Sequence, residues 1–110
     1  PGSWEYQPYL TTYESFIFYN AIGKHEDYFY HPIAVAKQIV NGTNYKFMTI
    51  AEPKEPGLLP HFAIVDIYKP IRGEAYTVHP VRAVEPGFHP QPSVPSWPHL
   101  KADYFCIPSK

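Results

Sequence analysis

The sequence predicts an α+β domain of two layers. One helix packs on a four-stranded antiparallel sheet, and an extended proline-rich C-terminal tail follows. Three observations carry this. Thr11-Thr12-Tyr13-Glu14 is a helix-start signal that opens a short segment of helical periodicity. From Tyr28 to Val84 the chain is rich in β-branched and aromatic residues, with turn chemistry at Asn41-Gly42 and at Pro70 to Glu74. The 14 prolines are unevenly spread: seven lie between Pro80 and the C-terminus, which leaves no room there for long regular elements.

Taken in order, residues 1–10 show no periodic pattern and read as an extended arm. The spacing predicts a helix over about residues 12–23. Thr11 is its N-cap and Glu14 its N3 partner, and Gly23 sits at the C′ position with Lys24 and His25 beside it. Tyr13, Phe16, Ile17 and Ala21 share one face of that helix. Asn41-Gly42 then separates the β-prone runs Ala34–Val40 and Thr43–Ala51. It predicts a tight hairpin of type I′, in which both turn residues take a positive φ. Residues 52–61 form a loop with three prolines. Phe62–Tyr68 is the next strand, on which Asp66 points away from Val65 and Ile67, toward solvent. Ala75–Val84 pairs back as the last strand, with Pro80 marking an edge position or a bulge. Residues 1–88 thus form the domain and residues 89–110 the tail, in which Tyr104–Ile107 reads as a short added strand.

Composition excludes several functions. With 110 residues the chain is one domain, long enough to bury about 60% of its unfolded surface without a metal or a disulfide. A formal charge of −1 argues against a nucleic-acid partner. A single cysteine, Cys106, forms no intramolecular disulfide and reads as a buried or edge-strand thiol. No apolar run approaches the roughly 18 residues of a membrane span, and no N-terminal signal segment is expected. Pro-Gly-Ser without an initiator Met reads as a processed or tagged start, with Pro1, Gly2 and Ser3 as a vector scar. The six histidines lack metal-ligand spacing, and His31, His61, His79, His89 and His99 each adjoin a proline. With no phosphate-binding glycine loop and no Gly-x-Ser-x-Gly, the residues point to no metal, no cofactor and no enzyme.

Gln38-Ile39-Val40-Asn41-Gly42 resembles the Gln-x-Val-x-Gly signature of the cystatins, inhibitors of papain-like cysteine proteases. Lys37 before it and Thr43-Asn44-Tyr45 after it look like the disulfide-free stefin and plant-cystatin versions. Phe62–Lys69 followed by Pro70 looks like that family's third strand entering its second hairpin loop. The likeness covers about residues 11–88. It departs from the family pattern where Pro70-Ile71 stands in place of Pro-Trp. The nearest tryptophan, Trp97, lies past the last strand.

The resemblance implies a cystatin-like fold and a reversible, competitive inhibitor that fills a papain-like cleft with a hairpin wedge and forms no covalent bond. Its protease-binding residues are Gly2 in the arm, Gln38, Ile39, Val40, Asn41 and Gly42 in the first loop, and Pro70 and Ile71 in the second. Gly42 lets backbone approach the cleft walls and Asn41 takes the left-handed conformation. The chain is then a monomer, with strand exchange through the first hairpin as its route to a dimer. Asn41-Gly42-Thr43 is also an N-glycosylation sequon, and a glycan there blocks the wedge, so a cytoplasmic setting is slightly favoured over a secreted one. The competing reading is a cystatin-fold interaction module that does not inhibit, with Pro90-Gln91-Pro92 and Pro95–Pro98 as docking segments.

Overall fold

The computed structural model describes residues 2–84. The tail, its expected Tyr104–Ile107 strand, and His89, Trp97, His99 and Cys106 lie outside the described residues. The element order is β1 (Trp4–Gln7), α1 (Thr12–Ile22), β2 (Tyr28–Val40), β3 (Gly42–Pro53), β4 (His61–Lys69), β5 (Thr77–Val78) and β6 (Arg82–Val84). All pairings are antiparallel in a sheet ordered β1-β2-β3-β4, with β5 and β6 both on the outer edge of β4.

The α+β class holds, but among the described residues the sheet has six strands instead of four. The first reason is the arm. Residues 4–7 pair with β2, Trp4 opposite Gln38 and Gln7 opposite Val35. A four-residue strand is too short to show a period, and its pairing with β2 spans the whole helix. The second reason is Pro80, which has no N–H to add to a ladder. The last strand therefore breaks into β5 and β6, and between them the His79 amide donates to the Asp66 carbonyl at 3.0 Å. Pro32 has a similar local effect in β2, where the register slips between Pro32 and Ala34.

The capping box at α1 forms as read. Glu14 N donates to Thr11 Oγ1 at 3.2 Å, and Thr11 N donates to Glu14 Oε1 at 2.9 Å. The buried face of the helix differs from the expected one. Tyr13 and Phe16 are about half exposed, while Ile17 and Phe18 are fully buried and Glu14 is only 2% exposed. Phe18 meets Phe47 edge-on at 5.0 Å, in a core with Val35, Val65 and Ile67. Each fully buried side chain of this kind contributes about 1.5–3 kcal/mol.

What turns the helix is a carboxylate with partners. Lys37 Nζ of β2 lies 2.7 Å from Glu14 Oε2, and Gln7 Nε2 of β1 donates to Oε1 at 2.8 Å. Burial pushes the Glu14 carboxyl up, but Lys37 and the Thr11 and Gln7 donors outweigh it and hold the carboxyl below its usual range. Glu14 thus ties β1, α1 and β2 together. Among the described residues no helix is long and apolar enough to cross a membrane.

Candidate functional site

Antiparallel pairing brings three separate segments to one end of the sheet. The start of β1 lies beside Gln38, the β2–β3 hairpin ends at Val40–Gly42, and β4 leaves the sheet at Lys69, opposite Thr43. Gly2, the hairpin tip and Pro70-Ile71 therefore stand in a row. Ile39 is 57% exposed and Ile71 is 64% exposed, with Val40 and Trp4 about two-fifths exposed. Four large apolar side chains are thus presented along one narrow edge.

Backbone and side-chain bonds hold this edge in place. Gly2 N donates to the Ile39 carbonyl at 3.1 Å, and Gln38 Nε2 donates to the Gly2 carbonyl at 2.8 Å. Asn44 Nδ2 in turn donates to Gln38 Oε1 at 2.9 Å. Gln38 thereby links the arm to β3 through its own amide. On the other side, the Tyr68 hydroxyl donates to the Asn41 carbonyl at the tip. The hairpin is braced from both neighbouring strands, so its shape is set by the fold.

No family model, curated protein or solved structure matches this chain. The site's chemistry is therefore read from its own residues.

Two expectations about the tip change. Among the described residues only glycines have a positive φ, so Asn41 is not left-handed. The ladder closes Val40 against Gly42 with Asn41 alone at the turn, and Gly42, at φ 108°, takes the unusual conformation by itself. The space around Gly42 is also not open to a partner. A Cβ there would meet Tyr68 Oη at 2.4 Å, the Lys69 carbonyl oxygen at 2.6 Å and Tyr68 Cζ at 2.8 Å. Glycine is needed here because β4 closes over it. The exposed residues of the tip are Ile39, Val40 and Asn41.

Sequence reasoning missed Tyr68, Asn44 and Trp4. Alternation along each strand put Asn44 and Tyr68 on definite faces, but only the register aligns Trp4, Gln38, Asn44 and Tyr68 in one rank across four strands. The next rank corrects the solvent-facing reading of Asp66. Its side chain is mostly covered, with Lys46 Nζ donating to Oδ1 at 2.7 Å and Arg82 Nη2 and Nε donating to Oδ2 at 2.8 and 3.1 Å. Burial pushes Asp66 up, but the two cations outweigh it and leave its carboxyl below the usual range. Lys46 Nζ also sits 5.3 Å from the Trp4 ring centroid, which supports the start of β1. Among the described residues no group of three His, Cys, Asp or Glu is placed to hold a metal ion, and His31 instead pairs with Glu52 at 2.8 Å.

Proposed function

We propose that this protein is a reversible, competitive inhibitor of papain-like cysteine proteases, and that its α+β fold is of the cystatin type. One observation supports this most: the arm, the Gln38–Gly42 hairpin and Pro70-Ile71 form one braced apolar edge at the end of the sheet. The order of arm, helix, hairpin and third strand agrees with that family, as does the Gln-x-Val-x-Gly signature.

A cleft that cleaves extended chains is a narrow trough with apolar walls. The wedge enters it with Val40 and Asn41 foremost and Ile39 and Ile71 against the walls. Gly2 and Trp4 lie along the side where a substrate chain would run. Gln38, Gly42 and Pro70 act one step back, by holding these groups in register. Bracing lowers the ordering cost of association, so a small edge can bind well. No group of the inhibitor reacts, so the protein is not an enzyme and needs no cofactor. Asn41 is exposed and lies in a sequon, and an attached glycan would stand at the wedge front and prevent entry.

The test is titration of papain with the purified chain against a small fluorogenic substrate. Competitive inhibition with a Kd between about 1 nM and 1 μM is expected. Ile39→Asp and Val40→Asp alter exposed side chains, so each should keep the native circular dichroism and lose inhibition at least tenfold. Absence of inhibition by the parent chain at about 100 μM, above the range of specific complexes, refutes the proposal. A non-inhibitory interaction module would then be the reading left. Gly42→Glu is a poorer probe, because contact with Tyr68 and Lys69 makes it damage the hairpin as well.

A further inference from the structure

The hairpin tip carries reactive chemistry as well as shape. The chain has three asparagines, Asn20, Asn41 and Asn44. Asn20 lies in α1, where the amide that follows it belongs to the helix ladder. Asn44 is followed by Tyr45, and its own Nδ2 donates to Gln38 Oε1 at 2.9 Å. Asn41 stands exposed at a turn, and no described residue bonds its side-chain amide. The next residue is Gly42, which has no Cβ to keep that side chain away from the following backbone nitrogen. In such a pair the backbone can attack the side chain.

We propose that Asn41 is a self-modification site and that Tyr68 sets its rate. The Gly42 amide gives its proton to solvent base, and its nitrogen bonds to Asn41 Cγ. The Cγ–Nδ2 bond breaks, and the side-chain nitrogen takes a proton from water and leaves as ammonia. The succinimide ring that results then adds water. Opening at Cγ gives aspartate. Opening at the main-chain carbonyl gives isoaspartate, with the chain running through the former side chain. Either product places a carboxylate at the tip, and isoaspartate also lengthens the main chain there.

The fold holds this reaction back. Gly42 is buried against Tyr68 and Lys69 at φ 108°, which keeps solvent base from its N–H. The Asn41–Gly42 peptide is a rigid plane that must be free to swing as the ring closes. The Tyr68 hydroxyl donates to the carbonyl oxygen of that same peptide. Attack therefore waits for the hairpin to part from β4, a local opening that costs less than unfolding the domain. Tyr68 is thus a positioning residue that latches the site. The chemistry is independent of what the wedge binds; only its effect on inhibition rests on the papain reading.

The full chain is incubated in mildly alkaline buffer beside Tyr68→Phe, Glu14→Gln and a synthetic peptide of residues 36–46. Digestion and mass spectrometry, with isoaspartate separated by chromatography, read the acid formed at each asparagine. The peptide should convert at Asn41 about tenfold or more faster than the parent chain, and faster than at its own Asn44. Tyr68→Phe should convert several-fold faster than the parent. Glu14→Gln weakens the domain away from the tip, so it should stay close to the parent. A peptide that converts no faster at Asn41 than at Asn44 overturns the site. A parent chain that converts at the peptide's rate overturns the protection by the fold. Tyr68→Phe at the rate of the parent, or at the rate of an accelerated Glu14→Gln, overturns the latch.

Discussion

Glu14→Gln is the substitution that tests the architecture most directly. The change keeps the size of the side chain and removes its charge. The remaining oxygen can still accept from Thr11 N and Gln7 Nε2, so the capping box survives in part. What is lost is the partner of Lys37, now facing an amide across 2.7 Å. Breaking a fully buried ion pair costs about 3–5 kcal/mol. Lys37 is one-quarter exposed and can turn its ammonium toward water, which lowers the expected loss to about 2 kcal/mol. For a domain of this size, with a urea slope of about 1–2 kcal/mol/M, the unfolding midpoint should fall by about 1–2 M. The pH dependence gives a second check. A carboxyl whose folded pKa is depressed contributes stability above its unfolded value near 4.5, and that stability is lost as pH falls through the folded value. The parent chain should therefore lose stability more steeply below pH 4.5 than the Gln variant. Adding Lys37→Met to the variant should restore part of the loss, since no partly covered cation is then left without a partner. A midpoint lowered by less than about 0.3 M is an ordinary surface effect and would refute the assignment of Glu14 as the tie between β1, α1 and β2.

Three further outcomes are expected. Tyr68→Phe removes only the donor to the Asn41 carbonyl; it should cost about 1 kcal/mol of stability in urea unfolding and weaken papain inhibition several-fold, and unchanged inhibition would separate this brace from binding. Asp66→Asn leaves Lys46 and Arg82 facing a neutral amide. Because the Asp66 carboxyl is also held low, the parent chain's extra stability should be present above its unfolded value near 3.8 and disappear as pH falls below it; equal acid transitions for parent and variant would count against the pairing. At the other end of the scale, burial, aided by Tyr13, Glu14 and Tyr76, pushes the Tyr45 hydroxyl up to about 12. The folded state then holds this proton more tightly than the unfolded one, so about 2–3 kcal/mol of stability should be lost as pH rises from 10 to 12, and a Tyr45→Phe chain should lose less.

Much of the fold is legible locally, because its signals lie within a few residues of one another. Thr11 and Glu14 announce the helix start through a reciprocal pair of bonds that needs no other part of the chain. Asn41-Gly42 marks where the hairpin reverses, and the apolar run from Phe62 reads as a strand. The helix face was less legible. Hydrophobicity favours Tyr13 and Phe16, and a buried glutamate is costly until Lys37, 23 positions away, is brought beside it. The same limit applies at the site. Gln38 to Gly42 could be picked out as a turn with a recognisable pattern, but the reason for glycine could not. It depends on Tyr68 and Lys69 of another strand.

The sequence by itself determined the helix, the three central strands, the position of the main reversal and the absence of an intramolecular disulfide, since capping, turn chemistry and cysteine number are local or compositional. Only the tertiary structure decided that the arm is a strand, that Gln38 bonds both Gly2 and Asn44, and that Asp66 is shared by Lys46 and Arg82. Each of these follows from strand register. A shift of one residue would move every partner to the opposite face. Register is set by the sum of packing on both faces, a property of the assembled sheet that no short stretch of sequence contains.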